Sequence, residues 1–599
     1  MNIKSSIACG LLTMVLYGCS LDYTNTGTIS PDNVWTDKTM ISAFLADIEG
    51  GMKPGWPLGD ANNSDEGMNG NASMTNYQRG EISVDNNGQG LSYGNIDKIN
   101  FFLKQIENVD PSVLTEVEKR EMVGQALFWR AWAYWGMVNV IGGVPLILEP
   151  QDVTNVESLF RSRNSTSECV AQIFKDLDDA ISMLPDAWTG TNYGRIDKGC
   201  AMAYKGRLMM WWASPLFNPS NNQERWQAAY ETNKEALEFL RSQGKGLYQG
   251  KFEDIWYDER NCEVVMVNQF YYPDHTFNQN LIRPLRLTKD NPNNNQAILP
   301  LLLAYPKKDG TKLTLDIDRL SADPAYNAQF VDEFYLDRDP RFYATIFSPG
   351  TVYPVPDLTG GQRYWPAWKK VENPDDPKGF QYASMVKDQL GDSEQATNTC
   401  FHQLKGLDKT LTVALVGNAA VDWIEIRFAE VLLNYGECAN EVGKTAEALQ
   451  VLYDIRKRAG IENKDGKYGI TASATSEIRQ AYIDERFIEL AYEGKRWGDL
   501  RRWKRFDILN NLKHRNALWL IAGKEVDPAT FDWTNDMSDP EVRKMFSFDF
   551  IECPEGDKSV YKFNLSMNHW FYPIKKNDLD RNSKLEQNNE WGGTFDPLK

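Results

Sequence analysis

Small residues alternate with large aromatic residues along one face of residues 118–140. The face repeats every three to four positions and consists of Met122, Ala126, Trp129, Ala133 and Gly136. This spacing places the side chains on one side of an α-helix. Small residues between aromatic rings let a second helix approach closely and interlock with the first. The segment therefore predicts a helix that packs tightly against another helix.

Similar periodicity recurs in two blocks of the chain. It predicts further helices at residues 93–106, 167–184, 198–214, 224–240, 424–441, 445–459, 476–491 and 496–510. Thr166 or Ser167 is the predicted cap of one helix, with the acidic Glu168 in its first turn. Gly443 separates two of the helices, and Gly460 is placed to end another.

Paired helices built on this Trp, Tyr and Ala spacing resemble tetratricopeptide units. We therefore predict a mostly α-helical fold: a tetratricopeptide-like helical scaffold (an α-α superhelix) with long irregular loop inserts and a few short strands. One domain is expected at residues 31–599, because a chain with 42% apolar residues can bury a substantial core. Its parts are a helical part at 31–245, a loop-rich insert region at 246–420 and a second helical part at 421–599.

The first residues predict attachment to a membrane. A mostly apolar run at residues 7–16 is shorter than the about 20 residues that a membrane-spanning helix needs. It is followed by Gly18 and Cys19, and a small residue before the cut is what a signal peptidase accepts. We predict a lipoprotein signal peptide at 1–18, lipidation of Cys19 and a flexible tether at 19–30. The alternative is an ordinary secretory signal with an incidental cysteine.

Charge and motifs argue against several classes of function. The net charge of -18 argues against nucleic acid as a partner, because phosphate binding needs basic patches. The sequence has four histidines and no zinc-binding cysteine pattern, nucleophile elbow or phosphate-binding glycine loop. We therefore expect no cofactor. The sequence does not exclude a structural calcium ion, although no loop shows the oxygen spacing expected of a calcium site. Cys169, Cys200 and Cys438 lie on apolar helical stripes, which is typical of packed free thiols.

Two motifs in the C-terminal block carry a family resemblance. They are IRFAEVLLNYGE at residues 426–437 and IDERFIELAYEGKRW at residues 483–497, the latter followed by DLRRW at 499–503. The segment GGVPL at residues 142–146 and the tail at 572–591 fit the same pattern. Together they resemble the SusD/RagB family of outer-membrane nutrient-binding lipoproteins, and the resemblance covers nearly the whole mature chain.

The resemblance implies capture without chemistry. The expected protein is a lipid-anchored lipoprotein of the cell outer membrane, facing outside, that binds oligosaccharide or polysaccharide. It would deliver the sugar to a SusC-like TonB-dependent transporter and would not be an enzyme. A peptide-binding capture protein is the main alternative, followed by a glycoside hydrolase and a tetratricopeptide scaffold that binds only proteins. The 83 acidic residues guarantee accidental carboxylate pairs, so their abundance does not support hydrolysis.

Charged residues in the two motifs are predicted to maintain the fold. Glu485, Arg486, Glu489 and Arg496 recur at a spacing that favours ion pairs along one helix. Partly buried pairs of this kind would fix how helices meet. The residues assigned to the fold are Arg427, Glu430, Glu437, Glu485, Arg486, Glu489 and Trp497.

The loop inserts are the predicted ligand site. Sugars have apolar C–H faces and polar edges, so their sites combine aromatic platforms with hydrogen-bonding side chains. Inserts at residues 50–94, 268–305 and 353–368 are rich in both kinds of residue. The family resemblance implies a glycan site built from loops, with the first two inserts in the corresponding regions. The candidate ligand-binding residues are Trp56, Asp65, Asn69, Tyr77, Arg79, Tyr93, Tyr271, Tyr272, Phe277, Arg283, Arg286 and Trp365.

Overall fold

The fold is mostly α-helical with a few short strands, as the periodicity predicts. A computed structural model describes residues 31–70, 74–86, 88–288, 295–390, 397–512, 515–553 and 562–599. The predicted signal peptide, Cys19 and the tether lie outside the described residues. Within the described ranges, no helix is both long enough and apolar enough to cross a membrane.

Eight helices form the N-terminal part. They are α1 (Pro31–Val34), α2 (Lys38–Gly50), α3 (Gly94–Ile106), α4 (Glu116–Ile141), α5 (Val156–Leu159), α6 (Thr166–Met183), α7 (Lys198–Ala213) and α8 (Gln223–Ser242). Helix α6 begins with a reciprocal capping box between Ser165 and Glu168. The predicted cap at Thr166 or Ser167 is therefore wrong by one or two positions, because the Ser165 hydroxyl accepts the N–H of Glu168.

Helix α4 packs against both α3 and α6. Trp132 of α4 also stacks on Tyr204 of α7, with ring centroids 4.6 Å apart. On the predicted stripe Trp129 is fully buried, but Gly136 is exposed and has open space around it. The close helix approach occurs at Gly124, where an added Cβ would lie 3.1 Å from the Leu184 side chain. Because α4 is buried on several sides, periodicity alone does not identify the glycine at the contact.

The remaining elements are short helices and strands followed by a second helical part. The helices are α9 (Leu299–Ala304), α10 (Ile317–Ala322), α11 (Pro324–Tyr335), α12 (Pro340–Thr345), α13 (Met385–Leu390), α14 (Phe428–Glu441), α15 (Thr445–Ala459), α16 (Thr475–Glu489), α17 (Arg496–Arg502), α18 (Phe506–Asn510), α19 (Pro540–Arg543) and α20 (Lys576–Arg581). The strands are β1 (Gly67–Met68), β2 (Val264–Asn268), β3 (Gln296–Ala297), β4 (Ile346–Phe347), β5 (Trp368–Glu372), β6 (Phe380–Ser384), β7 (His402–Gln403), β8 (Trp423–Arg427), β9 (Asn516–Ala522) and β10 (Phe546–Glu552).

The strands form small sheets within and beside the insert region. One sheet of four strands has the order β10-β9-β5-β6, with β9 and β5 parallel and the other neighbours antiparallel. The pairs β1–β3, β2–β8 and β4–β7 are each antiparallel. The β2–β8 pair joins the insert region to the start of α14.

Two of the predicted C-terminal helices need correction. Residues 424–427 belong to strand β8, because Ile424 and Ile426 alternate with charged residues and pair with β2. The predicted helix at 496–510 is divided into α17 and α18. Lys504 adopts a left-handed backbone conformation between them, with φ of 57°, and this ends α17.

Within the part of the chain that the structure describes, clusters of buried apolar side chains hold the elements together. The largest joins the N-terminal helices to α14, α15 and α16. The second lies between the insert region and the four-stranded sheet. A third, smaller one is rich in aromatic rings and is called the aromatic cluster below. Its buried members are Trp56, Phe252, Ile255, Trp256, Val264, Val267, Phe270, Ala344, Val421, Trp423 and Ile424.

The motif charges lie in the interior, and the predicted pairs along one helix are replaced by contacts with other elements for Glu485, Arg486, Glu489 and Arg496. Arg427 of β8 contacts Glu263, Glu489 and Glu493 at 2.7, 2.6 and 2.8 Å. Arg341 of α12 contacts Glu489 at 2.8 Å. We call the set Glu263, Asp339, Arg341, Lys405, Arg427, Arg456, Arg458, Glu485, Glu489 and Glu493 the charge network. It ties the insert region to both C-terminal motifs.

Glu66, a buried carboxyl group outside the charge network, predicts a pH-dependent stability. It accepts the N–H of Tyr492 at 3.0 Å and contacts the Ser64 hydroxyl at 3.2 Å. Burial raises the pKa of Glu66 from its ordinary value of 4.5 to about 7. Between these values the folded state keeps a proton that the unfolded state releases, so this group makes the protein less stable as the pH rises.

We expect Glu66→Gln to melt near the parent temperature at pH 4 and increasingly above it as the pH approaches about 7. Glutamine keeps an oxygen for the Tyr492 N–H and carries no charge at any pH. Thermal unfolding of both proteins across this range checks the prediction. A difference in melting temperature that does not change with pH would contradict it.

Candidate functional site

Two exposed aromatic side chains of the predicted site lie on the turn at residues 270–277, called the tyrosine turn below. Tyr271 and Tyr272 are 56% and 68% exposed. Two backbone hydrogen bonds between Tyr271 and His275, of 2.7 and 2.9 Å, close the turn. Phe270 stacks on the His275 ring with centroids 4.4 Å apart. The backbone and the Phe270–His275 stack therefore shape the turn, and both tyrosine rings remain accessible to a ligand.

The base of the tyrosine turn is fixed in the aromatic cluster. The Asp422 carboxylate accepts the N–H of Phe270 at 2.7 Å, and burial raises the pKa of Asp422 to about 6. At the other end, Phe277 is half-buried and stacks on Trp56 with centroids 5.9 Å apart. The Trp56 indole donates to the Val421 carbonyl at 2.9 Å. Trp56 is thus a buried support of the turn, which corrects its assignment to an exposed platform.

Other predicted residues of the first insert are held by the protein itself. Asp65 is buried and accepts two hydrogen bonds from Arg496, at 2.8 and 2.7 Å. Arg79 is half-buried and bonds to Glu81. Tyr93 is half-buried and donates to the Pro145 carbonyl at 2.7 Å. Asn69 is half-buried as well. The ion pair and burial of Asp65 give it a structural role, because a ligand cannot reach its carboxylate.

Two candidates from the later inserts are interior residues. Trp365 is fully buried and stacks on Phe546 with centroids 4.9 Å apart. Arg283 is also fully buried, and it donates to the carbonyls of Asp408 and Leu411 at 3.1 and 2.9 Å. Aromatic and cationic residues in a loop-rich region were predicted to face a ligand, but these two fill the core beneath the loops. Arg286 is half-buried.

A cavity in the first insert combines amide groups with aromatic rings. Its volume is about 380 Å³, and we call it the amide cavity. Within it, the Gln78 amide donates to the Asn62 carbonyl at 2.7 Å and its oxygen accepts the N–H of Thr75 at 2.7 Å. Tyr77 is buried and stacks on Tyr572 with centroids 4.4 Å apart. The lining includes Asn63, Asn76, Tyr77, Gln78, Gln89, Trp497 and Tyr572.

The sequence identified only part of this cavity. Tyr77 was predicted from its aromatic ring, and the many asparagines of the same insert were the available signal for Asn63 and Asn76. Trp497 was assigned to the fold, and Tyr572 is almost 500 positions from Tyr77. Nothing local in the sequence brings these residues together, because the contact depends on the tertiary fold.

The tyrosine turn presents ring faces, and the amide cavity adds neutral hydrogen-bonding groups. Among the residues that the structure describes, no group of three or more His, Cys, Asp or Glu side chains could hold a metal ion. Cys169, Cys200, Cys400 and Cys438 are buried free thiols.

Comparison with known families covers both halves of the chain. A family model described as SusD family matches residues 255–591, which is more than half of the chain. A second model, described as starch-binding associating with outer membrane, matches residues 41–210. A SusD-like protein of Formosa agariphila is 23% identical over 467 residues, which cover 74% of this chain and 76% of the relative.

Solved structures of similar proteins share the fold. A SusD-like protein of Bacteroides fragilis superposes with a TM-score of 0.69 at 21% identity, covering 93% of this chain and 98% of the other. Another protein of the same species, described as a SusD-like carbohydrate binding protein, has a TM-score of 0.64 at 20% identity and covers 92% of this chain and 99% of its own. The predicted tetratricopeptide-like helical architecture is therefore confirmed.

Proposed function

Because this chain belongs to the SusD family, we propose that it is a non-catalytic binding protein that captures an oligosaccharide or polysaccharide. The tyrosine turn is the observation that carries the proposal. Tyr271 and Tyr272 are exposed on a turn whose shape is fixed by other residues. An aromatic face binds the apolar C–H face of a sugar without covalent chemistry. The description of the family model that matches residues 41–210 names starch binding, which supports this ligand class.

The amide cavity is the second part of the proposed site. The side chains of Asn63, Asn76 and Gln89 can donate to and accept from sugar hydroxyl groups. Its volume of about 380 Å³ is within the about 300–1,000 Å³ that is usual for small-molecule sites. The network around Gln78 orients the amides before a ligand arrives, which lowers the entropy cost of binding.

Location and partner are further parts of the proposal. We propose that a lipid on Cys19 anchors the protein in the outer membrane, facing outside, and that a SusC-like TonB-dependent transporter receives the sugar. The association with the outer membrane in the family description supports this location. Extraction in mild detergent should recover the protein together with a transporter. The Cys19→Ser variant should leave the membrane fraction, and isolation of the parent without a transporter would count against the pairing.

Removing both exposed rings is expected to weaken sugar binding without unfolding the protein. The double variant Tyr271→Ala, Tyr272→Ala should lose about tenfold or more in affinity, because an aromatic contact contributes about 0.5–1.5 kcal/mol beyond its area. Its melting temperature should stay within about 2 °C of the parent, since exposed substitutions usually change stability little. Isothermal titration and thermal unfolding measure the two quantities.

The matched control is Tyr271→Phe, Tyr272→Phe, which keeps the rings and removes the hydroxyl groups. Affinity close to that of the parent would assign the effect to the ring faces. A large drop in melting temperature of the alanine variant would show that the tyrosines support the fold, contrary to the proposal. Binding of peptides with no binding of any sugar would favour the peptide-capture alternative.

A further inference from the structure

A second aromatic cleft lies apart from the tyrosine turn and the amide cavity. It is formed between the 3₁₀ turn Phe252–Trp256 and helix α12, and its volume is about 240 Å³. We call it the α12 cleft. Tyr343 and Val352 at its mouth are 44% and 54% exposed. The residues used below are Glu253, Trp256, Tyr257, Tyr343, Val352 and Lys409, all of which line the cleft.

The two tyrosine rings of the cleft are anchored through their hydroxyl groups. The Tyr343 hydroxyl donates to the Tyr335 carbonyl at 3.0 Å and accepts the N–H of Arg338 at 3.1 Å. The Tyr257 hydroxyl donates to the Leu407 carbonyl at 2.8 Å. Since both hydroxyl groups are engaged by the protein, the two rings are held in position beside the cleft.

The polar groups at the cleft suit a neutral, hydroxyl-rich ligand. Trp256 is 3% exposed, and within the described residues its indole N–H makes no hydrogen bond. A ligand hydroxyl can serve as its acceptor. Lys409 lies 4.2 Å from the Tyr257 ring centroid, and Glu253 supplies a carboxylate of opposite charge. The ammonium of Lys405, which also lines the cleft, is already paired with Glu493 at 2.8 Å. Glu253 also lies 4.0 Å from the ammonium of Lys251, so the lining carries charges of both signs.

The α12 cleft and the tyrosine turn share the same support. Gly406 lines the cleft, and the Trp56 ring packs so closely on it that an added Cβ would overlap the ring. Trp56 also stacks on Phe277, at the end of the tyrosine turn. Trp256 and Phe270 both belong to the aromatic cluster. One rigid core thus fixes the positions of both surfaces.

We propose that the α12 cleft is a second carbohydrate subsite that takes one pyranose ring of a neutral oligosaccharide. The inference rests on the proposed function and deepens it. Its volume of about 240 Å³ is below the about 300–1,000 Å³ usual for drug-sized ligands, so it fits a single ring. Aromatic faces match the C–H face of that ring, and the indole N–H and the two opposite charges match its hydroxyl groups.

The test is a titration of residues 20–599 with maltohexaose, xylohexaose, laminarihexaose and hexagalacturonate. With the neutral sugar that binds best, Tyr343→Ala should lower the affinity about fivefold to tenfold. Adding Tyr343→Ala to the Tyr271→Ala, Tyr272→Ala variant should lower the affinity again by a similar factor, because separate subsites contribute additively. Tyr343→Phe is the control that keeps the ring and should bind like the parent.

Val352→Asp tests the cleft without touching the core, in case Tyr343→Ala does not fold. It places a charge beside an aromatic mouth and should also weaken binding. If Tyr343→Ala and Val352→Asp both bind like the parent while the tyrosine-turn variant binds more weakly, the α12 cleft is not a subsite. The proposed function would then still stand. Absence of binding to every sugar overturns both. If the protein prefers hexagalacturonate and this preference depends on Tyr343, the proposal that the cleft binds a neutral sugar is wrong.

Discussion

Arg427→Leu is expected to destabilise the protein by about 3–5 kcal/mol, which is the usual cost of removing one partner from a buried ion pair. The Arg427 guanidinium is 1% exposed and contacts Glu263, Glu489 and Glu493. Burial alone lowers the pKa of Arg427, but these carboxylates raise it well above its usual value. Leucine would leave the carboxylates buried with less compensating charge. Urea unfolding measures the loss.

Two variants define the size of that effect. Arg427→Lys keeps the charge but not the planar fork, so we expect an intermediate loss of stability. Arg319→Leu removes an exposed pair with Asp323, whose atoms are 3.1 Å apart, and should cost less than about 1 kcal/mol. Equal unfolding midpoints for Arg427→Leu and Arg319→Leu would show that the charge network does not hold the motifs together.

Trp365→Ala is expected to cost about 3–5 kcal/mol and to leave the sugar affinity of the folded protein unchanged. Trp365 is fully buried, stacks on Phe546 and meets the edge of Phe531 with centroids 5.1 Å apart. Removing the indole leaves a cavity between these rings. Thermal unfolding and isothermal titration separate the effect on stability from the effect on binding.

Trp365→Phe is the control for this cavity. Among the residues that the structure describes, the buried Trp365 indole N–H has no hydrogen-bond partner, so phenylalanine removes an unsatisfied donor while it keeps a ring. We expect a clearly smaller loss of stability than for alanine. If Trp365→Ala melts like the parent but binds sugar weakly, the residue belongs to the binding site and not to the core.

The long helices could be predicted from sequence because local signals define them. Helix α15 has the predicted bounds, and Gly460 ends it in a left-handed conformation with φ of 88°. Strand β8 was missed because the pattern of α14 continues directly from it. The alternation of Ile424 and Ile426 with charged residues is a short local signal, and the pairing with β2, about 160 residues earlier in the chain, identifies residues 423–427 as a strand.

The candidate site was less predictable because aromatic content does not report exposure. Tyr271 and Trp365 both lie in aromatic-rich inserts, yet one is 56% exposed and the other is fully buried. The difference depends on what the rest of the chain places above each ring. The contacts of the charge network could not be predicted for the same reason, since Glu263 and Glu489 reach Arg427 from distant parts of the chain. Such contacts require the tertiary fold.

The central claim, surface capture of a sugar without chemistry, is tested most directly by one titration. Residues 20–599 are titrated with a panel of neutral and acidic oligosaccharides, and the sugar recovered afterwards is sized by mass spectrometry. We expect saturable binding of at least one oligosaccharide. The binding should depend on Tyr271 and Tyr272, and the sugar should be recovered at full length. Shortened sugar, or binding of peptides with none of any sugar, would contradict it.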